Sequence, residues 1–421
     1  MGDSDRHPAP RRRTGRAAIA AAAWAALLYA SIPLVRPVQQ RLFSAIGSAW
    51  IIVMVLVAVA AAVAIAVFLV RRSQRPTSPF DIVWLAAIGT IAAAIAWHLR
   101  ERPEESVHLL QFGVLAVLLF RALRPAEPDV AILLSVVLLG TLVGTVDEII
   151  QWIVPGRFWD LRDVAVNAGA CALTSAALWR IDPGPWRHPL PSPSVSLAVR
   201  LAAALLLLLT LCLANTPERV AWYSERVPGL GLLARADNAM AEYGYRHRLP
   251  GIGEMQSRLT LADLEEQDRT RAGEVAALLD RYPEGSYARF LRDHSEIGDP
   301  FLYEARVHLF SRDVHLRDLR AAPAGSAAAR ELATIALREQ QLLERVFGNT
   351  LARSSFNLKP QRRQLLEQLY DPGRPFVSAS AAHLITAIGE RPLRILLLAA
   401  AAALLAIDAV VRRRPTREAA A

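Results

Sequence analysis

Two groups of polar residues stand in the most apolar part of this sequence, and their side chains can donate hydrogen bonds, accept them or carry charge. One group lies at 104–111 and the other at 147–167. Ionisable residues within apolar segments are costly to keep there, so they indicate a functional site. The candidate site residues are Glu104, His108, Gln111, Asp147, Glu148, Gln151, Arg157, Asp163 and Asn167.

The spacing within these groups is helical, because side chains four positions apart share one face of a helix. Three such pairs occur: Glu104 and His108, Asp147 and Gln151, and Asp163 and Asn167. Carboxylates and an imidazole suit general acid/base chemistry, and His108, Asp147 and Glu148 are admissible metal ligands. Neither reading has the spacing of a known catalytic motif. We therefore assign no catalytic residue and expect no metal and no cofactor.

The elements that must position these groups are membrane helices. The chain has 421 residues, 53% of them hydrophobic, and a mean hydropathy of +0.26, which is too apolar for an ordinary soluble protein. Its apolar residues form runs long enough to cross a bilayer as helices. The predicted spans are 17–35, 50–70, 80–97, 106–123, 130–153, 163–180, 196–214 and 393–411. We expect the first to be an uncleaved anchor, because its run is long for a signal peptide and no Ala-x-Ala site follows it.

The net charge of +9 does not indicate nucleic-acid binding. The arginines cluster in alternate connections between the apolar runs, which is the positive-inside pattern and predicts that both termini are cytoplasmic. The expected location is the plasma (inner) membrane. Cys171 and Cys212, the two cysteines, lie within predicted spans, so no disulfide framework is expected.

The long connection at 215–392 reads as a separate, mainly helical extracytoplasmic domain. Helices are predicted from Thr260, with Asp263 completing an N-cap, to Tyr282, and over 327–347 with a stop at Gly348. The 301–316 segment fits a strand or a helix, and 183–193 an extended linker. The fold class is all-α. The predicted parts are a tail at 1–16, seven membrane helices over 17–214, the 215–392 domain, a last helix at 393–411 and a tail at 412–421.

Other motifs in 215–392 carry no predicted chemistry. Ser311-Arg312-x-x-His315 has too short a gap for a membrane phosphatase motif. His294, His308 and His315 are expected on the surface. The Gly251-x-Gly253 pair lacks the third glycine and flanking elements of a phosphate loop.

The predicted topology places both polar groups at one depth, at the outer ends of three neighbouring helices. Together they would form an outward-facing polar pocket, in which Arg157 could bind a carboxylate or a phosphate. The alternative is that these residues are interfacial, cap helix ends and contact water; Asp163 at a helix N-terminus suits that reading.

The run Asp147-Glu148-x-x-Gln151, Pro155-Gly156-Arg157, Asp163 and Asn167-x-Gly169 resembles the signature of the VanZ-like family, over roughly 80–180. An acid four residues before His108 is similar as well. The sequence departs from the family pattern at three positions: Glu105 stands in place of a lysine, Phe112 in place of an aromatic hydroxyl and Asp160 in place of a serine. The resemblance implies an envelope protein, with a link to resistance against the glycopeptide teicoplanin.

Two hypotheses of function follow. The favoured one is a non-enzymatic envelope protein that recognises an amphiphilic or lipid-linked molecule in the outer pocket, so its partner is a membrane lipid or lipid-linked envelope molecule. The alternative is a membrane-embedded enzyme that acts on a lipid-linked intermediate by acid/base chemistry. Only an enzyme needs a residue whose loss abolishes turnover while binding survives.

Overall fold

The computed structural model describes most of the chain, and its helices account for most of the described residues. The described residues are 10–46, 49–73, 78–101, 103–124, 129–154, 157, 159–182, 186, 193–234, 239–294, 296, 298–381, 384–385 and 388–413. They divide into two compact units, one formed by 1–212 with 395–421 and the other by Leu213–Arg394.

The first unit contains helices α1 (Pro10–Ile46), α2 (Ala49–Arg72), α3 (Pro79–His98), α4 (Pro103–Leu123), α5 (Ala131–Ile153), α6 (Leu161–Ile181), α7 (Pro193–Leu213) and most of α15 (Glu390–Arg413). Within the described residues, eight helices are long and apolar enough to cross a membrane. They coincide with the eight runs predicted from the sequence, so the all-α polytopic fold is confirmed. The helix α1 continues to Ile46, about three turns past the predicted end near residue 35, despite Pro33 and Pro37.

The core of this unit lies where α4, α5 and α6 pack together. Phe112, Leu115 and Cys171 are almost fully buried there. The α5 sequence brings α6 close, because Gly140 and Gly144 are four residues apart and present no side chain. A Cβ on Gly140 would stand 2.3 Å from the Sγ of Cys171. Small residues at this spacing are typical of close helix contacts in membranes.

Ion pairs join the helices at the end of the bundle where α6 terminates. Arg180 on α6 donates from Nε to Asp81 of α3 at 2.7 Å. Arg124, after α4, donates from Nη2 to Asp182, after α6, at 2.9 Å. Part of the arginine excess that predicts the topology is therefore neutralised by buried or half-buried aspartates.

The last membrane helix is fastened to α7 through Asp408. This carboxylate is buried and accepts hydrogen bonds from Ser196 and from Nε of Arg200, the latter at 3.0 Å. Arg412, one turn further along α15, lies 2.7 Å from the same carboxylate. Arg200 is the one charged residue in the apolar run of α7, and its partner comes from the opposite end of the sequence.

The second unit is mainly helical, with helices α8 (Pro217–Arg226), α9 (Leu261–Asp280), α10 (Tyr287–Asp293), α11 (Pro300–Ala321), α12 (Ala327–Val346), α13 (Gly348–Arg353) and α14 (Pro360–Leu369). Short strands β1 (Glu242–Tyr243) and β4 (Leu384–Ile385) pair in parallel, and β2 (Tyr245–Leu249) and β3 (Gly253–Ser257) form an antiparallel hairpin. The hairpin turn explains the Gly251-x-Gly253 pair, since both glycines have positive φ, 75° and 143°.

The predicted N-terminal cap of α9 is confirmed. Thr260 accepts a hydrogen bond from the Asp263 N–H at 3.1 Å, and Asp263 accepts one from the Thr260 N–H at 3.2 Å, so the capping box is formed with an aspartate. The ambiguous 301–316 segment is helix, within α11. The predicted end of the 327–347 helix is confirmed, because α12 ends at Val346, and a further helix, α13, begins at Gly348. The structure describes two residues of the predicted 183–193 linker, Trp186 and Pro193, and the second of these begins α7. The rest of the linker lies outside the described residues.

The expectation that His308 is a surface residue is wrong. His308 is 1% exposed and its Nδ1 lies 2.8 Å from Glu339 on α12. The same carboxylate accepts hydrogen bonds from Ser311, at 3.1 Å, and Ser378, at 2.8 Å. A buried carboxylate needs such partners, and two segments distant from Glu339 in sequence supply them here, α11 and the segment that contains Ser378. His294 and His315 are half-buried.

Candidate functional site

Three helix ends carry the predicted site residues, and they lie at the same end of the bundle. The helix α4 begins there, α5 ends there and α6 begins there. His108 is five residues from the start of α4, while Asp147 and Asn167 are each six residues from the end of α5 and the start of α6. At about 1.5 Å per residue, all three side chains lie roughly 7–9 Å inside the helix ends. We call Glu105, His108, Asp147, Glu148, Gln151, Arg157, Asp160, Arg162, Asp163 and Asn167 the polar cluster.

The Gln151 amide lies at the centre of the polar cluster. Its Nε2 donates to Oδ2 of Asp147 at 2.9 Å and to Oε1 of Glu148 at 2.7 Å. Its Oε1 accepts from the Arg157 guanidinium. Because carboxylates only accept and a guanidinium only donates, these partners fix the orientation of the amide. Gln151 therefore links two buried acids on α5 to the arginine that follows the helix.

The mouth of the cluster is closed by contacts between the α5–α6 connection and the helix ends. Asp160 is the N-cap of α6, since its Oδ1 accepts from the Arg162 N–H at 2.7 Å. The Asp160 N–H donates to Oε2 of Glu148 at 3.3 Å. Arg162 forms an ion pair with Glu105 of α4. Asp160, which is not one of the predicted site residues, thus caps α6, and capping does not account for the residues deeper in the helices.

Three side chains of the cluster retain polar atoms without a hydrogen-bond partner in the part of the chain that the structure describes. They are Nδ1 of His108, Oδ1 of Asp163, and both Oδ1 and Nδ2 of Asn167. Asn167 is 0% exposed and its side chain lies close enough to His108 to interact with the imidazole, but no hydrogen bond of ordinary length and angle joins them. Buried polar groups are nearly always hydrogen-bonded, so a group of unpaired atoms at one place needs a reason.

The carboxylates of the cluster outnumber its cations. The carboxylates belong to Glu105, Asp147, Glu148, Asp160 and Asp163, and the guanidinium groups to Arg157 and Arg162. Asp147 and Glu148, exposed by 4% and 0%, make no ion pair with any residue that the structure describes. Electrostatic neighbours of Asp147 include His108 and Arg157, and those of Asp163 include Glu105 and Arg157. The cluster is thus one connected, net-acidic environment that can bind a cation, hold a proton or accept hydrogen bonds.

The structure places most of the predicted site residues together, with two exceptions. The Gln111 side chain makes no hydrogen bond to the cluster within the described residues; its backbone carbonyl instead accepts from Nε1 of Trp24 at 3.0 Å. Glu104 belongs to α4, but its side chain lies outside the described residues. Glu105 lies at the mouth of the cluster, where it pairs with Arg162.

Sequence reasoning missed the contribution of α1. Tyr29 donates from its hydroxyl to the Val143 carbonyl at 3.0 Å and lies within electrostatic range of Asp147. The helix α1 packs on α4 and on α5, and Tyr29 brings it close to Asp147. A signal was present in the sequence, because Trp24 and Tyr29 carry hydrogen-bonding groups within an alanine-rich span.

One comparison with known proteins identifies this part of the chain. Residues 45–181 match the VanZ/LLP1 family model. The match confirms the VanZ-like segment predicted from the motifs and moves its start from about residue 80 to residue 45, so that it spans α2 to α6. No curated protein and no solved structure matches the chain. The polar cluster lies wholly within the VanZ-like segment, whereas Tyr29 and the second unit lie outside it.

Proposed function

We propose that this VanZ-like membrane protein recognises an amphiphilic or lipid-linked molecule of the cell envelope through its polar cluster. The observation that carries the proposal is the group of unpaired buried atoms on His108, Asp163 and Asn167, one from α4 and two from α6. A polar head group would satisfy them between Asp163, two residues into α6, and the level of His108 and Asn167, roughly 7–9 Å inside the helix ends. The apolar part of the same molecule would remain among the membrane helices.

The orientation belongs to the same proposal. Both termini are cytoplasmic and the chain is in the plasma membrane, so the polar cluster lies at the outer end of the bundle. The 215–392 domain lies on that side. Envelope precursors and glycopeptides are found there, which connects the site to the teicoplanin resistance suggested by the family resemblance.

Single replacements test the proposal. Asp147→Asn, Arg157→Gln and His108→Ala are compared with Arg121→Gln and His98→Ala, which change exposed residues outside the cluster. Expression and folding are checked first. Lipid retained by the purified protein is then measured by mass spectrometry, and teicoplanin susceptibility by growth. The cluster variants should lose retained lipid or change susceptibility, and the controls should not. If all three cluster variants match the wild type in both assays, the cluster is structural.

The enzymatic alternative has one observation in its favour: Nδ1 of His108 has no hydrogen-bond partner among the described residues and lies near Asp147. An imidazole beside a carboxylate is suited to proton transfer. The distinguishing result is a His108→Ala variant that retains the bound molecule but no longer converts it. A wild-type protein that binds the molecule without converting it would favour recognition over catalysis.

A further inference from the structure

The polar cluster also indicates which kind of head group it would take, and this inference rests on the proposed function. Asp147 and Glu148 are buried in a membrane-spanning helix without an ion-pair partner in the described chain. An uncompensated carboxylate in such a place is strongly unfavourable. Arg162 is paired with Glu105, and the single charge of Arg157, which hydrogen-bonds to the neutral Gln151 amide, is shared between both acids and does not offset them fully. A positively charged ligand would compensate these acids.

The unpaired acceptor atoms indicate which hydrogen-bond donors that cation should carry. Oδ1 of Asn167 accepts hydrogen bonds, and so does Nδ1 of His108 in the tautomer protonated at Nε2. Asp147 adds a carboxylate oxygen from a third helix. A primary ammonium group carries three N–H donors, which matches three acceptors from α4, α5 and α6.

Two other cations fit less well. A proton on one carboxylate would reduce the negative charge, but it would leave two acceptor atoms, Oδ1 of Asn167 and Nδ1 of His108, unpaired. A divalent metal ion needs six or more oxygen ligands in the case of calcium, or four ligands in the case of zinc. No group of three or more His, Cys, Asp or Glu side chains among the described residues is arranged to hold a metal ion.

We propose that the polar cluster binds the primary ammonium group of an amphiphile, with Asp147, Asn167 and His108 as its acceptors. The amine can be part of a membrane lipid head group or of a free cationic amphiphile, since both present the same chemistry. The ammonium enters between α4, α5 and α6, and the apolar chain stays at the membrane-facing side of these helices.

The test is a competition assay on the full-length protein in dodecyl maltoside. Tritiated dodecylamine is the probe, and binding is read by scintillation proximity. Unlabelled dodecylamine should compete at least about tenfold better than dodecyltrimethylammonium, which has the same charge but no N–H donors, and better than dodecyl sulfate; tenfold corresponds to about 1.4 kcal/mol. Lysophosphatidylethanolamine and ethanolamine are tested as two further competitors, in order to distinguish a lipid head group from a free amine. Competition by the first alone indicates a lipid, and competition by both indicates that the ammonium suffices.

Variants locate the binding. Asp147→Asn and Asn167→Ala should each weaken dodecylamine binding at least about tenfold. Ser175→Ala is the matched control, because its hydroxyl is also buried and unpaired among the described residues but lies two turns further along α6. If Asp147→Asn cannot be purified, two results still test the proposal. They are the preference of the wild type for dodecylamine over dodecyltrimethylammonium and the binding of dodecylamine by Asn167→Ala.

Three results would overturn the inference: no saturable dodecylamine binding, equal competition by the trimethyl compound, or unchanged binding in the variants. These failures differ from failure of the proposed function. A protein that retains another lipid, and loses it when the cluster is altered, still recognises an amphiphile but not through an ammonium group.

Discussion

Gly144 of α5 lies directly against Asn167 of α6. A Cβ built on Gly144 would stand 2.9 Å from both Cβ and Nδ2 of Asn167, and 3.2 Å from the Phe112 ring. The close approach of these two helices thus depends on a residue without a side chain, and it places the Asn167 amide within the polar cluster.

Replacing Gly144 should therefore disturb the site and the fold together. We expect Gly144→Ala to destabilise the protein by about 1–3 kcal/mol, the usual cost of overpacking. The measurement is the apparent melting temperature of the purified protein in detergent. Gly169→Ala is the control, because nothing lies within 4 Å of a Cβ at that position on α6. A Gly144→Ala variant as stable as the control would show that α5 and α6 can separate without cost.

The contact between Arg200 and Asp408 gives a second prediction. Asp408→Asn removes the charge that compensates Arg200 in an otherwise apolar helix, so it should lower the melting temperature more than the double variant Arg200→Gln/Asp408→Asn does. The four proteins of this double-mutant cycle are compared in one detergent. Purely additive effects would mean that the two side chains do not interact, and Arg412→Gln shows how much the exposed arginine contributes.

The second unit should lose stability in acid through Asp299, the N-cap of α11. Burial raises the pKa of Asp299, but hydrogen bonds from Arg271 and the Leu302 N–H outweigh it, so the pKa lies below its usual value. A lowered carboxyl pKa contributes stability above the unfolded value, and the contribution is lost as pH falls through the folded value. The loss should occur below about pH 4.

Melting temperatures between pH 6 and pH 3 measure this effect. The wild type should lose more stability below pH 4 than Asp299→Asn, which has no charge to lose. Glu265→Gln removes an exposed carboxylate and serves as the control. If Asp299→Asn and the wild type show the same acid dependence, the acid sensitivity arises elsewhere.

Labelling of single cysteines tests the topology. Both native cysteines are buried, so they should not react in the folded protein. Arg330→Cys introduces an exposed thiol in α12, and Arg121→Cys one near the end of α4. A membrane-impermeant maleimide applied to intact cells should label position 330, while position 121 should react only after permeabilisation. The reverse pattern would invert the proposed orientation.

Features that depend on neighbouring residues were predictable from the sequence. The eight apolar runs are defined by length and composition alone, and the Thr260–Asp263 cap needs only four residues. The pairs spaced four apart were expected to share a face, and within one helix this follows from its geometry. The spacing does not predict which other helices those faces contact.

Features that depend on distant residues were not predictable. His308 is buried because Glu339 and Ser378 approach it from elsewhere in the chain. Tyr29 reaches the cluster because α1 packs on α5, 114 residues away along the sequence. The pairing of Arg162 with Glu105 spans 57 residues and likewise depends on tertiary packing.

The hydrogen bonds of Trp24 and Tyr29 bear on where this protein can be divided. The family match begins at residue 45, after most of α1. A fragment that begins there would keep every residue of the polar cluster but lose most of α1, and with it the donors to the Gln111 and Val143 carbonyls. The matched segment therefore lacks part of the packing around the polar cluster, and studies of the isolated segment would examine an incomplete site.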